Sequence, residues 1–77
     1  MIVLLFARAR EVIGADRVEV APAQNVGELR RDLMARFPQV AGLLEKSALA
    51  VNGEFADDGT AIPEGAEVAL LPPVSGG

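Results

Sequence analysis

The chain contains neither cysteine nor histidine, and that double absence constrains its folding more than any other feature. At 77 residues it is in the size range where small folds often rely on disulfides or a structural metal. Without those two residue types, disulfides, zinc fingers, iron–sulfur clusters and haem ligation are all closed to it. Its stability must therefore come from buried aliphatic side chains. The composition allows this: 51% of residues are hydrophobic and 23% charged, which also argues against disorder. The length predicts one domain.

The same absences restrict chemistry. There is no Ser–His pair, no thiolate nucleophile and no imidazole base, and tyrosine and tryptophan are missing too. A self-contained hydrolase or oxidoreductase is disfavoured. The net charge of −4 argues against a nucleic-acid partner, which calls for a basic stripe. Charge is unevenly spread. Residues 1–36 carry six Arg against five acids (+1), and residues 37–77 carry Lys46 against six acids (−5). This fits either an ordinary solvated acidic surface or a face steered toward a basic partner. The apolar run from Met1 to Ala7 has no basic region before it and is interrupted by Arg8 and Arg10, unlike a signal peptide. No stretch approaches the ~20 apolar residues that span a bilayer. A soluble, cytoplasmic protein with no membrane partner is expected.

Along the chain, Ile2–Ala7 reads as a strand of branched aliphatics. Ala9–Ile13 predicts a helical turn ended by Gly14, and Arg17–Val20 alternates as a half-buried strand does. Asn25 and Glu28 form a capping-box pattern opening the main helix, whose apolar stripe is Val26, Leu29, Leu33 and Phe37. Arg30, Arg31, Asp32 and Arg36 fall largely off that stripe. Pro38 ends the helix, and Val40, Leu43 and Leu44 suggest a short helical turn. Leu49–Val51 and Glu54–Ala56 flank Asn52-Gly53, a two-residue hairpin signal. Asp57-Asp58-Gly59 is another turn, and Ile62-Pro63-Glu64-Gly65 predicts a turn with proline at its second position. Glu67–Leu71 is the last strand, stopped by Pro72-Pro73.

Two strands, a helix and three more strands predict a two-layer α+β domain, with one main helix on a mixed four- to five-stranded sheet. The first and last strands are the most apolar and suit adjacent central positions. The β-grasp (ubiquitin-like) topology meets these conditions, with residues 1–71 as the domain and residues 72–77 as a flexible C-terminal tail. If Val68 and Leu70 face the helix, Ala69 and Leu71 face outward, with Phe55 near them. An apolar patch there would mark an interaction surface.

Gly76-Gly77 at the C-terminus reads either as a frayed end or as a carboxylate held on a slender stalk. The second reading has a chemical rationale. Glycine lacks Cβ, so the pair can thread a narrow cleft and bring backbone close to a reacting centre. A free carboxylate is a poor electrophile, but adenylation would give it a good leaving group, which a sulfur donor could replace. No histidine, cysteine or tyrosine on the carrier is needed for this.

Phe6-Ala7-x-Ala9-Arg10-Glu11-x-x-Gly14, Leu49-Ala50-Val51-Asn52-Gly53 and the ending Pro72-Pro73-Val74-Ser75-Gly76-Gly77 are together similar to the MoaD family, the small sulfur-carrying subunits of molybdopterin synthase. The resemblance spans the chain. It implies that Gly77 is adenylated by an ubiquitin-activating-like adenylyltransferase and converted to a thiocarboxylate with sulfur from a donor protein. It further implies that Ser75 and Gly76 thread into the large synthase subunit. There sulfur would pass to cyclic pyranopterin monophosphate to build the molybdopterin dithiolene. Two carriers on a large-subunit dimer would form a heterotetramer. The resemblance suggests Arg10 as a partner contact, and with the outward Leu71 and Phe55 the expected interface is Phe6, Arg10, Phe55, Leu71, Pro72, Pro73 and Val74. No bound cofactor and no metal are implied, only covalent modification at Gly77. Arg10 fits a solvated charge or a pair with Glu11 equally well, and Lys46, next to Glu45, reads as a solvated charge before a conjugation site. Asn52-Gly53-Glu54 is also similar to the thiamine-pathway carrier. The alternatives are therefore sulfur delivery for thiamine or tRNA thiolation, or a ubiquitin-like modifier joined through Gly77 to lysine.

Overall fold

A computed structural model describes residues 1–73. The elements in chain order are β1 (Ile2–Leu5), α1 (Ala7–Ile13), β2 (Arg17–Glu19), α2 (Val26–Arg36), a 3-10 turn (Pro38–Val40), α3 (Ala41–Lys46), β3 (Ala48–Val51), β4 (Glu54–Ala56) and β5 (Val68–Leu71). The strands form one mixed sheet in the order β2-β1-β5-β3-β4. β1 and β5 run parallel side by side, and every other neighbouring pair is antiparallel. The two most apolar strands are thus adjacent, with β5 in the middle, as expected of a β-grasp domain.

Local chemistry explains most of the boundaries. Gly14 closes α1 at φ 82, its N–H donating to Arg10 O at 2.9 Å. That left-handed position costs glycine nothing and other residues more. α1 begins at Ala7, earlier than its apolar pattern predicts, because the backbone at Ala7 turns to φ 51 and breaks the strand after Leu5. Asn25 caps α2, accepting the Glu28 N–H at 2.8 Å on Oδ1. Asn52 (φ 51) and Gly53 (φ 82) supply the two positive φ angles of a type I′ hairpin between β3 and β4.

The segment between β4 and β5 departs from expectation. Its second turn is Pro63–Ala66, closed by Ala66 N–H to Pro63 O at 3.1 Å. Proline therefore opens the turn rather than standing second. Gly65, at φ 78, occupies the third position, where a type II turn needs positive φ. The chain from Asp57 to Ile62 is strapped to the start of α2: Val26 N–H donates to Thr60 O and Gly27 N–H to Asp58 O at 2.8 Å. These bonds satisfy helix N–H groups that have no partner within the helix. Gly27 makes the approach possible, since a Cβ there would stand 3.1 Å from Asp58 O.

α2 and α3 cover one face of the sheet. Val3, Leu5, Val26, Leu29, Leu33, Leu44, Leu49, Val68 and Leu70 are fully buried between the layers. Each contributes about 1.5–3 kcal/mol on leaving water. The predicted stripe holds through Leu33, and Phe37 at its end is half-buried.

Arg30, expected to lie off the stripe, is instead 14% exposed at its side chain. Its Nη1 donates to the carbonyls of Leu44 (2.6 Å) and Ser47 (2.7 Å), at the end of α3, and its Nε to Asp58 Oδ1 (3.0 Å). One guanidinium thus fastens α2 to α3 and to the β4–β5 segment. Among the described residues no helix is long and apolar enough to cross a membrane.

Candidate functional site: the outer sheet face and the root of the tail

Strand side chains alternate between faces, and the register sorts them without ambiguity. Leu5, Leu70, Leu49 and Ala56 stand in line across the sheet, as do Val18, Val3, Val68 and Val51. These two rows face the helices. The row between them is Arg17, Leu4, Ala69, Ala50 and Phe55, and it faces away. Ala48 opposite Leu71 flanks that row on one side, and Ile2 opposite Glu19 on the other.

The outer face is thus apolar across its width. Three alanines, Ala48, Ala50 and Ala69, make a low floor. Around it stand Ile2 (42% exposed), Leu4 and Leu71 (half-buried) and Phe55 (69% exposed). Contiguous apolar surface of this kind marks an interaction site more often than chance. Both edge strands carry charge on this side or at their ends, with Arg17 and Glu19 on β2 and Glu54 on β4. Charged edges oppose uncontrolled strand pairing. Alternation on β5 places Ala69 and Leu71 outward as expected, and Phe55 joins them through Ala50. Ile2 and Leu4 belong to the same face but were not legible as such, because nothing local to β1 says which of its faces meets the helices.

The tail leaves from one corner of this surface. β5 ends at Leu71, and Pro72 and Pro73 follow, both exposed. Proline has no N–H for a ladder and a fixed φ, so this pair ends sheet pairing. Phe6, 43% exposed, continues the outward parity of β1 at the same end, since Leu5 pairs with Leu70. The structure therefore gathers Phe6, Leu71, Pro72 and Pro73 around the root of the tail. Phe55 lies across the sheet on β4. Val74, Ser75, Gly76 and Gly77 lie outside the described residues.

Arg10 is exposed on α1 and lines an open hollow with Ala7, Glu11, Gly14, Ala15 and Asp16. A pair with Glu11, one of the readings open for Arg10, is not made; the ion pairs among the described residues are Asp16–Arg17 and Arg30–Asp58. Arg10 is thus available to a partner. Among the described residues no three acidic, cysteine or histidine side chains converge to hold a metal ion. What the described residues offer is an apolar outer sheet face with Pro72 and Pro73 at one corner.

Comparison with known proteins adds to this geometry. The ThiS family profile matches residues 3–77. The molybdopterin synthase sulfur carrier subunit of Dictyostelium discoideum is 40% identical over 80 residues, covering 97% of this chain and 93% of that protein. Among solved structures, small archaeal modifier protein 1 of Haloferax volcanii superposes with a TM-score of 0.74 at 32% identity, over 95% of each chain. The complex of subunits 1 and 2 of the molybdopterin-converting factor from Helicobacter pylori contains a chain matched with a TM-score of 0.67 at 27% identity. That match covers 99% of this chain and 96% of the other.

Proposed function

The chain belongs to the ThiS family, and from that footing we propose that it is a sulfur carrier of molybdenum cofactor biosynthesis, loaded at its C-terminal glycine. The observation that carries this reading is the likeness to a molybdopterin synthase sulfur carrier subunit over 97% of the chain. In the proposed cycle the Gly77 carboxylate attacks ATP, pyrophosphate leaves, and an acyl-adenylate forms on an ubiquitin-activating-like adenylyltransferase. A donor protein's sulfur replaces AMP, and the carrier ends in a thiocarboxylate. The carrier then docks on the large synthase subunit and passes its sulfur to cyclic pyranopterin monophosphate.

Each part of the chain has a role in that cycle. The outer face, with Leu71 and Phe55, supplies docking area. Phe6, Arg10, Pro72, Pro73 and Val74 contact the partner around the tail root, and Ser75 and Gly76 thread its cleft. The heterotetramer, with two carriers on a large-subunit dimer, and a cytoplasmic setting belong to the same proposal. The carrier is a non-catalytic subunit: the reacting atom is its own carboxylate, and the catalytic groups belong to its partners. It needs no resident cofactor.

Intact-mass analysis tests the reading directly. After incubation with ATP, the activating enzyme and a sulfur donor, the wild-type chain exchanges one oxygen for sulfur at Gly77. Deleting Gly77 withdraws the carboxylate by about one residue's reach, ~3.3–3.6 Å. Misplacement of ~1 Å can already cost ~10²-fold at a reacting centre, so sulfur transfer is expected to be abolished. A Gly77-deleted chain that still supported molybdopterin formation would overturn the carrier mechanism. The likeness to an archaeal modifier protein favours a second reading, conjugation to lysine amines. High-mass conjugates on a blot, with no thiocarboxylate in the intact mass, would favour it.

A further inference from the structure

The surplus of negative charge sits in the second half of the chain, and the function proposed above makes no use of it. Part of it stands around a cleft at the end of the sheet opposite the tail root. The ladder between β1 and β5 begins at Val3–Val68. Before that level each segment is tied to its other neighbour. Met1 N donates to Val20 O at 2.8 Å and Val20 N–H to Met1 O at 2.9 Å, on the β2 side. Asn52 N–H donates to Glu67 O at 2.7 Å and Glu67 N–H to Asn52 Oδ1 at 3.0 Å, on the hairpin side. The two segments are thus drawn to opposite sides, and a cleft of about 850 Å³ opens where they part.

The lining is mostly apolar, with Met1, Ile2, Leu4, Ile62, Pro63 and Ala66. Its walls are braced, since Ile62 N–H donates to Gln24 O at 3.0 Å and joins the two flanking loops. Each of those loops also carries a proline, Pro22 or Pro63, with its fixed φ. A preformed site of this kind gives up little entropy on binding. The rim is acidic. Glu64 and Glu67 stand on it, and Glu19 lies beside Ile2 on β2. All three are exposed, and none is in an ion pair among the described residues. The cations nearby have other partners: Arg17 lies 3.7 Å from Asp16, Arg36 donates to Glu19 O at 2.6 Å, and the Met1 amine is on Val20 O.

These features select an occupant. An acidic rim attracts Lys and Arg and repels phosphate-bearing surfaces. The polar side chains of the lining, Gln24, Glu64 and Glu67, are all exposed, so no buried polar group is aimed inward to orient a small ligand. Ile2 and Leu4 also belong to the outer sheet face, so a chain segment lying on that face can run into the cleft. We propose that the cleft docks an extended basic segment of a partner protein, seating an aliphatic side chain against Ile2, Leu4 and Ile62 and setting Lys or Arg against Glu64 and Glu67. Side chains of an extended segment alternate in direction, so basic residues on either side of the aliphatic one point toward the rim as it enters the floor. Val68–Leu71 separates the cleft from the tail root by about 10 Å at ~3.3 Å per residue. A short segment therefore leaves Phe6, Pro72 and Pro73 uncovered. Nothing in this site depends on how Gly77 is used.

Nuclear magnetic resonance of the full chain, labelled with nitrogen-15, tests the proposal. The probe is the peptide acetyl-Lys-Leu-Arg-Leu-Lys-amide, and its acidic counterpart acetyl-Glu-Leu-Glu-Leu-Glu-amide is the control. The basic peptide is expected to give saturable shifts at the amides of Ile2, Leu4, Gln24, Glu64, Gly65 and Glu67, and the acidic one none. Affinity should fall as salt rises from about 0.01 M to about 0.1 M, where the Debye length shrinks from ~30 to ~10 Å. In the double variant Glu64→Gln/Glu67→Gln it should fall by about threefold or more, the combined effect of two exposed ion pairs. Ile2→Ser should weaken binding at unchanged charge, and circular dichroism checks that both variants stay folded. No saturable shift at ~1 mM peptide, an equal response to the acidic peptide, shifts centred on Ala50, Ala69 and Phe55, or unchanged affinity in the double variant would each overturn the proposal. Shifts at the cleft residues that grow with the concentration of the chain alone would also overturn it, since the occupant would then be a second copy.

Discussion

On the inner face of the sheet, Val3, Leu5, Leu49, Val68 and Leu70 are exposed by 1% or less, whereas on the outer face Ile2 is 42% and Phe55 69% exposed. Both faces are built from aliphatic and aromatic residues on the same five strands. They differ in what covers them. α2 and α3 pack on one side, fastened by Arg30, and no helix of the described residues packs on the other. Apolar strand composition therefore says that a face wants covering, and it does not say by what. In the inner face the cover is intramolecular and the return is folding stability; in the outer face the proposed cover is another protein. The alanine floor of the outer face fits this difference, since small side chains let a partner's surface approach the backbone closely.

The sharpest way to break the comparison is to truncate two neighbours on β5. Leu70→Ala empties a fully buried site and is expected to cost about 2–5 kcal/mol of stability in urea unfolding. Leu71→Ala, one residue on and facing out, should cost less than about 1 kcal/mol. Equal losses would mean that the two faces are not energetically distinct. Next in size is a binding effect. Phe55→Glu should leave the urea midpoint nearly unchanged but weaken affinity for the large synthase subunit by about 2 kcal/mol or more, as central anchors do. Isothermal calorimetry measures this, and undiminished affinity of the folded variant would remove the outer face from the docking surface.

A third change tests what holds the inner cover in place. Arg30→Met keeps much of the apolar stem while removing the guanidinium donor from the Ser47 carbonyl and from the Leu44 carbonyl, which keeps only the Ser47 N–H at 3.3 Å. Orphaned polar groups of this kind cost about 1–3 kcal/mol. The loss should appear in thermal unfolding and in faster hydrogen exchange across α3, with little change at β1. If exchange accelerated uniformly instead, Arg30 would be a general contributor and not a clasp between these elements. The smallest expected effect is at the start of the same layer. Asn25→Ala removes the acceptor for the Glu28 N–H and should cost about 1 kcal/mol, within the range of helix caps.

Much of this is legible in the sequence alone, and the legible parts share a cause. The hairpin at Asn52-Gly53, the close of α1 at Gly14, the cap at Asn25 and the stop at Pro72-Pro73 each rest on the backbone preferences of one or two residues. Such preferences act wherever the chain goes. The apolar stripe through Val26, Leu29 and Leu33 is a periodicity of a single helix, and it too needs no partner to be read. Absences were equally informative: without cysteine, histidine or tyrosine, thiolate, imidazole and phenol chemistry are closed to the chain.

Other features depended on residues distant in sequence meeting in space. Helical spacing puts Arg30 off the stripe; only the arrival of α3's last carbonyls and Asp58 makes it a clasp. Proline at 63 opens its turn instead of standing second, the turn closing from Ala66 N–H to Pro63 O with Gly65 at the position that needs positive φ. Membership of Ile2 and Leu4 in the outer face followed from the register of β1 with β2 and β5. By itself the sequence determined the elements, their order and the chemistry excluded, because these arise from short-range conformational preference and composition. Which face is covered and which charge joins the helices were decided by tertiary structure alone, because long-range pairing energies choose among many layouts that local preferences leave equally open.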